Sequence, residues 1–229
     1  MPEQLALGGT EATIHWRRSK RARRVSLRID PQLGLVVVTL PMRAGRAAGV
    51  ALLNDNANWV SDRLAALPIA TRLADSAIIM IHGHPVEIRH TPGKLGGAIL
   101  EDNVLHVSGD PAFLARRATD FLRKKARRIL TEKVAAVVGQ AGVHAKSVTI
   151  KDTRTRWGSC SPDGVLMFSW RLIMAPEFVQ DYVVAHEVAH LKHLNHGPAF
   201  WALTESLSPH RHDATTWLHT HGAKLLRVK

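Results

Sequence analysis

The sequence predicts an α+β protein, in which an antiparallel, strand-rich first half packs on a helical second half that contains a short sheet. Two observations support this prediction. Short alternating or β-branched apolar runs, separated by turn residues, dominate the chain up to residue 108. Longer segments with helical periodicity follow. We therefore expect a β-rich subdomain at residues 11–108 and a helical subdomain at residues 109–229.

The pattern of the first half predicts paired strands around one helix. Residues 1–10 have no clear periodicity and are expected to form a loose tail. A helix is predicted over residues 44–67, because Pro68 ends the helical pattern. Turn residues at 31–34, 82–85 and 102–103 each separate two predicted strands. These strands cover residues 25–29, 35–40, 78–81, 86–89, 98–101 and 104–107.

The second half has the signals of several helices. Asp110 and Pro111 start a helix that runs to about residue 138, with Gly139 or Gly142 as its stop. A loop over residues 152–164 then joins two predicted strands. The strands cover residues 148–151 and 165–170, and the later helices cover 176–193, 198–207 and a short segment from Asp213 to Gly222.

Composition indicates the cellular setting and the partners. The single cysteine, Cys160, excludes an internal disulfide and fits a reducing compartment. No apolar run is long enough to cross a membrane, and the first residues lack the pattern of a secretory signal, so we expect a cytoplasmic protein. The net charge of +12 favours contact with the phosphates of nucleic acids or nucleotides. A basic, solvated surface explains the same charge equally well.

Part of this charge lies on one face of the helix predicted at 110–138, opposite its apolar stripe. Such a face is usually only solvated, so it does not identify a ligand by itself. The residues concerned are Arg116, Arg117, Arg123, Lys124, Lys125, Arg127, Arg128 and Lys133.

The segment His186-Glu187-Val188-Ala189-His190 carries the strongest chemical signal. Residues four apart lie on one face of a helix, so both imidazoles can reach a single zinc ion at about 2.0–2.1 Å. Glu187 follows the first histidine and points beside the metal, where it can accept a proton from water. We therefore predict zinc ligands at His186 and His190 and a general base at Glu187.

A catalytic zinc site needs a third protein ligand and one open position. His196 is the preferred candidate, because the same six-residue separation occurs in longer zinc-peptidase motifs. Those motifs leave the helix through a glycine, whereas this chain has His193 there and must turn through Asn195 and Gly197. His193 itself, Glu205 on the next helix and Cys160 remain alternative ligands.

The segment Arg154-Thr155-Arg156-Trp157-Gly158-Ser159-Cys160 is a basic loop between two strands. Arg154 and Arg156 are candidate substrate-binding residues, since the loop could line the metal cleft or bind phosphate. The alternative is a structural loop, with Trp157 packed inward and Gly158 allowing a turn. Candidates for stabilising an oxyanion are Arg156, His193 and Tyr182. Two histidine clusters, one at residues 82–90 and one at 210–221, are weak candidates for a second metal site.

Four segments together resemble the YgjP-like metallopeptidase family, which is related to the SprT and Wss1-like zinc peptidases. They are Arg21 to Arg28, Thr155 to Cys160, His186 to Leu191, and Asn195-His196 followed by Phe200-Trp201. The resemblance implies a zincin-like C-terminal half, a zinc ion on His186, His190 and His196, and Glu187 as catalytic acid and base. The family usually has serine after the third ligand, where this chain has Gly197. The resemblance does not extend beyond Ser208.

The predicted function is therefore that of a zinc-dependent hydrolase, specifically a metallopeptidase that cleaves a peptide or protein. The strand at 165–170 could align an extended peptide by edge pairing. Two alternatives remain. One is a metal-dependent nucleoside triphosphate phosphohydrolase, in which Arg154 and Arg156 bind phosphates. The other is a basic nucleic-acid-binding module with a structural zinc ion. The resemblance supports either substrate, since SprT and Wss1-like members cut proteins near DNA and YgjP-like members are linked to triphosphate hydrolysis.

Overall fold

The computed structural model describes residues 2–93 and 96–229, which divide into two compact units. The boundary between them in the sequence lies between Ile69 and Ala70. The mixed α+β class predicted from the sequence is confirmed. The division lies earlier than residue 108, because the strands between residues 78 and 108 share a buried apolar cluster with the long helix that follows them. None of the helices in the described chain is long and apolar enough to cross a membrane.

The first unit contains a four-stranded sheet with two helices. Its strands are β1 (Pro2–Leu7), β2 (Thr10–Ser19), β3 (Ser26–Asp30) and β4 (Leu35–Pro41), in the order β1-β2-β4-β3. The outer pairs are antiparallel, as the sequence predicts, but the middle pair of β2 and β4 is parallel. The prediction of a loose tail is wrong. β1 pairs with β2 along its whole length, because Leu5 and Leu7 pack into the cluster that holds Ile14 and Val38.

The single helix predicted over 44–67 is two helices, α1 (Arg46–Asp55) and α2 (Ala57–Ala65). The break is at Asn56, whose side-chain amide donates to the carbonyl of Leu52 at 2.8 Å and whose φ and ψ of −115° and 20° are not helical. This local hydrogen bond competes with the backbone pattern of a continuous helix. Both pieces still bury an apolar residue in the same cluster, Leu53 from α1 and Val60 from α2.

The second unit begins with another four-stranded sheet that has the same strand order as the first. Its strands are β5 (Ile78–Ile81), β6 (His84–Thr91), β7 (Ala98–Glu101) and β8 (Val104–Ser108), in the order β5-β6-β8-β7. Again the outer pairs are antiparallel and the middle pair is parallel. The turn predicted at 102–103 is present, with positive φ at Asp102 and Asn103. The turn predicted over 82–85 is shorter: it consists of His82 and Gly83, both with positive φ, because β6 already begins at His84.

Helix α3 (Leu114–Ala141) forms the centre of this unit. Its buried residues recur every four positions, which places them along one stripe that packs into the cluster containing the sheet residues Ile88 and Leu105. Asp110 accepts a hydrogen bond from the amide of Ala112 before the helix, and Gly142 ends it at a φ of 61°. The buried stripe comprises Leu114, Ala118, Leu122, Ala126, Leu130 and Val134.

A small sheet and three helices complete the second unit. The sheet contains β9 (Ser147–Lys151), β10 (Gly158–Cys160) and β11 (Val165–Ser169), in the order β10-β11-β9. The strand expected to offer a free edge, β11, therefore lies in the middle, and β10 is an edge strand. The helices are α4 (Glu177–Ala189), α5 (Pro198–Leu207) and α6 (Arg211–Leu226). α4 ends before residue 193, and α6 continues past Gly222, which faces the ring of Trp157.

A buried arginine connects the chain end to the loop that follows β9. The side chain of Arg171 is 2% exposed; it donates to the carbonyl of Val228 at 2.8 and 3.2 Å and forms an ion pair with Asp152. A buried guanidinium is stable only when its donors are satisfied, so these contacts must form together.

We expect Arg171→Ala to lower the free energy of unfolding by about 3 kcal/mol, because the variant leaves a buried carbonyl without its donor and breaks an ion pair whose arginine is buried. Urea denaturation measures the change. The matched control is Arg127→Ala on the exposed face of α3, which should change stability by less than about 0.5 kcal/mol. Equal effects of the two variants would contradict a stabilising role for Arg171.

Candidate metal centre

The last turn of α4 carries the first part of the site. His186 and His190 lie one helical turn apart, and their ring centroids are separated by 5.0 Å. The rest of this helix is packed into the core, with Val184, Ala185 and Val188 fully buried. The two imidazoles therefore sit at the point where a buried helix reaches the surface.

The chain then turns and brings a third imidazole to the first two. His196 Nε2 lies 3.2 Å from His186 Nε2, and the rings of His196 and His190 are 4.8 Å apart. The turn uses short-range backbone bonds, from the amides of Lys192 and His193 to the carbonyl of Ala189. Asn195 is not among the positive-φ residues of the described chain, and Gly197 has a φ of −75°, so no left-handed residue is needed.

The three nitrogen donors fit one metal ion. One ligand atom from each of His186, His190 and His196 lies within 4.8 Å of the others. Two nitrogens on a tetrahedral zinc ion with bonds of about 2.0–2.1 Å are roughly 3.3–3.4 Å apart, close to the 3.2 Å between the Nε2 atoms of His186 and His196. The set leaves a fourth position for water or substrate, as a catalytic site requires.

Protonation also favours metal binding. Burial, followed by the charges of His190 and His196, lowers the pKa of His186 to about 4. Burial lowers the pKa of His190 as well. Both rings are then neutral at pH 7 and present lone pairs. His190 Nδ1 lies 3.0 Å from the carbonyl of His193, which accepts a hydrogen bond from the Nδ1–H and leaves Nε2 for a metal.

The alternative ligands lie outside this group. Within the described residues, the cluster that could hold a metal contains neither His193, Glu205 nor Cys160. His193 contributes its backbone carbonyl instead. Glu205 Oε1 pairs with Arg211 Nη1 at 2.7 Å. Burial raises the pKa of Cys160, and the nearby carboxylate of Glu187 adds to this rise, so the thiol stays protonated. The histidine clusters at 82–90 and 210–221 form no further group of this kind in the described chain.

Glu187 is buried beside the histidines, with 7% of its surface exposed. Burial raises its pKa to about 7, and the positive charge of Arg156 opposes the rise. The backbone of β10 is packed tightly against this side chain: a Cβ on Gly158 would lie 2.6 Å from Glu187 Oε1. Glycine at 158 therefore serves a close approach of strand to carboxylate rather than a turn.

The predicted substrate-binding arginines occupy the exposed loop before β10. Arg156 acts electrostatically on Glu187, and its carbonyl accepts from the hydroxyl of Thr153 at 2.7 Å. Arg154 is also exposed, two residues earlier in the same loop. Trp157 is half-buried against the core, as the structural alternative for this loop expected. The loop is thus both packed inward and close to the site.

A comparison with protein families agrees with this geometry. The model of the YgjP-like metallopeptidase domain matches residues 23–221 of the 229-residue chain. The chain belongs to the YgjP-like family. This membership implies a metal ion, commonly zinc, and the histidine cluster is the place that could hold it. No curated protein and no solved structure matches the chain. The match also extends past Ser208, where the sequence resemblance ended.

Sequence reasoning missed an arginine near the site of this YgjP-like chain. Arg211, at the start of α6, stacks on Trp201 with 3.5 Å between its Cζ and the ring centroid. Its charge lowers the pKa of His186 and opposes the rise that burial causes in the pKa of Tyr182. Local sequence patterns give no signal for it, because they predict a helix that begins two residues later, at Asp213.

A pocket of about 280 Å³ opens beside the histidine cluster. Helix α4 forms one wall, because Tyr182, Val183, His186 and Glu187 share one of its faces. Trp157 and Gly158 come from the β10 segment, and Thr215 and Leu218 come from α6. Most of this lining is apolar, so the pocket suits an uncharged side chain.

The raised pKa of Glu187 predicts that the stability of the metal-free protein depends on pH. The unfolded carboxyl loses its proton near its ordinary pKa of 4.5, whereas the folded one holds it until about pH 7. Stability therefore falls as pH rises from about 4.5 to about 7. Glu187→Gln removes this loss. The difference in the free energy of unfolding between the variant and wild type should therefore shift in favour of the variant by up to about 3 kcal/mol from pH 4 to pH 8. Urea denaturation in chelator at both pH values measures this difference, and an unchanged difference would contradict the burial argument.

Proposed function

We propose that this YgjP-like chain is a zinc metallopeptidase with His186, His190 and His196 as ligands and Glu187 as general base. The observation that carries the proposal is the convergence of three imidazole nitrogens within 4.8 Å of one another next to a buried carboxyl group. Family membership supports the same class of activity.

Each group has a defined task in peptide hydrolysis. When bound, a zinc ion supplies a Lewis acid and lowers the pKa of water towards about 7. Glu187 accepts a proton from the attacking water and passes it to the leaving amine. Its pKa of about 7 in the buried site suits both steps, since the carboxyl can hold and release a proton near neutral pH. Tyr182 and Arg156 remain candidates for stabilising the oxyanion.

The edge strand β10 is the proposed support for an extended peptide. It pairs with β11 on one side only, and its Gly158 lies against Glu187. A substrate strand added to the open edge would gain backbone hydrogen bonds and pass beside the general base. This replaces β11 as the pairing strand, which is covered on both sides.

The pocket beside Glu187 indicates which class of peptide the site accepts. Its walls include Trp157, Tyr182 and Leu218, and it borders both His186 and Glu187. A residue next to the cleaved bond lies within one Cα–Cα step of about 3.8 Å, so its side chain can enter this pocket. The proposed substrates are therefore peptides with a large apolar residue beside the cleaved bond.

We expect Thr215→Trp to fill this pocket. The variant should lower kcat/KM at least 10-fold for peptides with phenylalanine or leucine beside the bond, and less than about 3-fold for glycine or alanine peptides. Thr216→Trp is the matched control, because Thr216 is the exposed neighbour and does not line the pocket. A peptide library assay measures both. Equal losses for large and small residues would contradict the assignment.

The phosphohydrolase alternative rests on Arg156. Its charge reaches Glu187, so an anionic phosphoryl group beside the general base would meet a cation. The nucleic-acid-binding alternative, with a structural zinc ion, needs a fourth protein ligand, and the part of the chain described here supplies three. Nucleic-acid contact through the basic surface and cytoplasmic location stay predictions.

Activity assays on zinc-loaded protein separate the two enzyme classes. We expect hydrolysis of casein and not of nucleoside triphosphates, and Glu187→Gln should lower kcat at least 100-fold while zinc content stays at one per chain. Glu132→Gln, at an exposed ion pair on α3, is the control and should retain full activity. Triphosphate hydrolysis lost on Glu187→Gln would establish the alternative, and an active Glu187→Gln variant would refute the role of Glu187.

A further inference from the structure

His196 is held differently from the other two members of the cluster. His186 and His190 belong to the end of a buried helix, whereas His196 lies in the turn before α5 and is exposed. Among the described residues, its ring has one hydrogen-bond contact, at 3.2 Å to His186, and both atoms of that contact are the proposed metal-binding nitrogens. Something other than hydrogen bonding must therefore orient this ring.

Aromatic packing supplies the first restraint. The ring of Trp201 stacks on His196, with centroids 5.5 Å apart and planes inclined by 29°. Phe200 contacts the same imidazole edge-on at 4.7 Å. Phe200 is fully buried and also contacts Trp201 edge-on at 4.9 Å, but Trp201 itself is only partly buried, so a further contact can add support to its ring.

That support is a paired guanidinium. Arg211 Cζ lies 3.5 Å from the centroid of the Trp201 ring, and Arg211 Nη1 binds Glu205 Oε1 at 2.7 Å. Glu205 and Trp201 are four residues apart on α5, so one helical face presents both the ring and the carboxylate to Arg211. A planar guanidinium can stack flat on an indole while it donates in its own plane to a carboxylate, a geometry that an ammonium group does not have.

We propose that Glu205, Arg211 and Trp201 form a stack of side chains that positions His196 for metal binding. This rests on the proposed function, since it takes His196 as the third ligand. The three residues are positioning residues and do not touch the metal. Their effect is to order the exposed imidazole in advance, which reduces the entropy lost when the metal binds. Residues that orient a ligand from outside the coordination shell typically change metal affinity by about 10- to 100-fold.

Metal affinity, measured by competition of zinc with a chromophoric chelator, tests this proposal without an activity assay. We expect Arg211→Ala and Trp201→Ala to weaken zinc binding about 10- to 100-fold. Arg211→Lys should also weaken it, because lysine keeps the charge but loses the planar stack. Trp201→Phe should retain most of the affinity. The matched control is Arg116→Ala, which removes an arginine stacked on Phe113 at 4.8 Å, outside the histidine cluster, and should leave affinity unchanged.

Two further variants separate failure of the stack from failure of the ligand set. Glu205→Gln changes an exposed carboxylate, so it tests the stack even if Arg211→Ala does not fold, and it should weaken binding several-fold. His196→Ala should weaken binding more than any of these variants. If His196→Ala weakens binding while the Glu205, Arg211 and Trp201 variants bind zinc like wild type, the stack is refuted and the proposed function stands. If His196→Ala itself binds zinc like wild type, the ligand set and the stack both fail.

Discussion

The candidate site depends on the burial of ionisable groups at the end of an apolar helix. α4 is packed on almost every side, and His186 and Glu187 share that environment. Desolvation disfavours charge on both groups, but with opposite results: it keeps the imidazole unprotonated and the carboxyl protonated to higher pH. The same sequence on a solvated helix would have ordinary pKa values. The packing of α3, α4 and α6 therefore matters to the chemistry as much as the motif itself does.

The sequence predicts best what depends on neighbouring residues. The turns at His82–Gly83 and Asp102–Asn103, the apolar stripe of α3 and its stop at Gly142 all follow from local rules and are present. The parallel pairs β2–β4 and β6–β8 could not be predicted, because each joins two hairpins that local patterns treat separately. The break at Asn56 depends on one side-chain hydrogen bond. Gly222 lies inside α6 rather than at its end, and it packs closely against a distant indole, that of Trp157.

At the site, too, local patterns could be predicted and tertiary contacts could not. His186, Glu187 and His190 could be placed together because helical periodicity fixes their relation, and the loop to His196 is short. The partner of Glu205 could not be found in this way. A carboxylate on the next helix has the sequence position of a zinc ligand in other peptidases, yet here it pairs with Arg211. Arg211 lies two residues before the predicted start of the last helix. The strand that borders Glu187 was missed for a related reason, since the order β10-β11-β9 is set by tertiary pairing.

The contacts of Val228 and Lys229 have a consequence for local unfolding of the second unit. Lys229 exchanges backbone hydrogen bonds with Thr71 and Leu73, and the carbonyl of Val228 accepts from Arg171. These bonds make the segment after α6 a part of the folded second unit, which it can leave only by local unfolding. Such an opening would leave Arg171 with Asp152 and the ring of Trp170 as partners, and would expose a guanidinium that is otherwise buried.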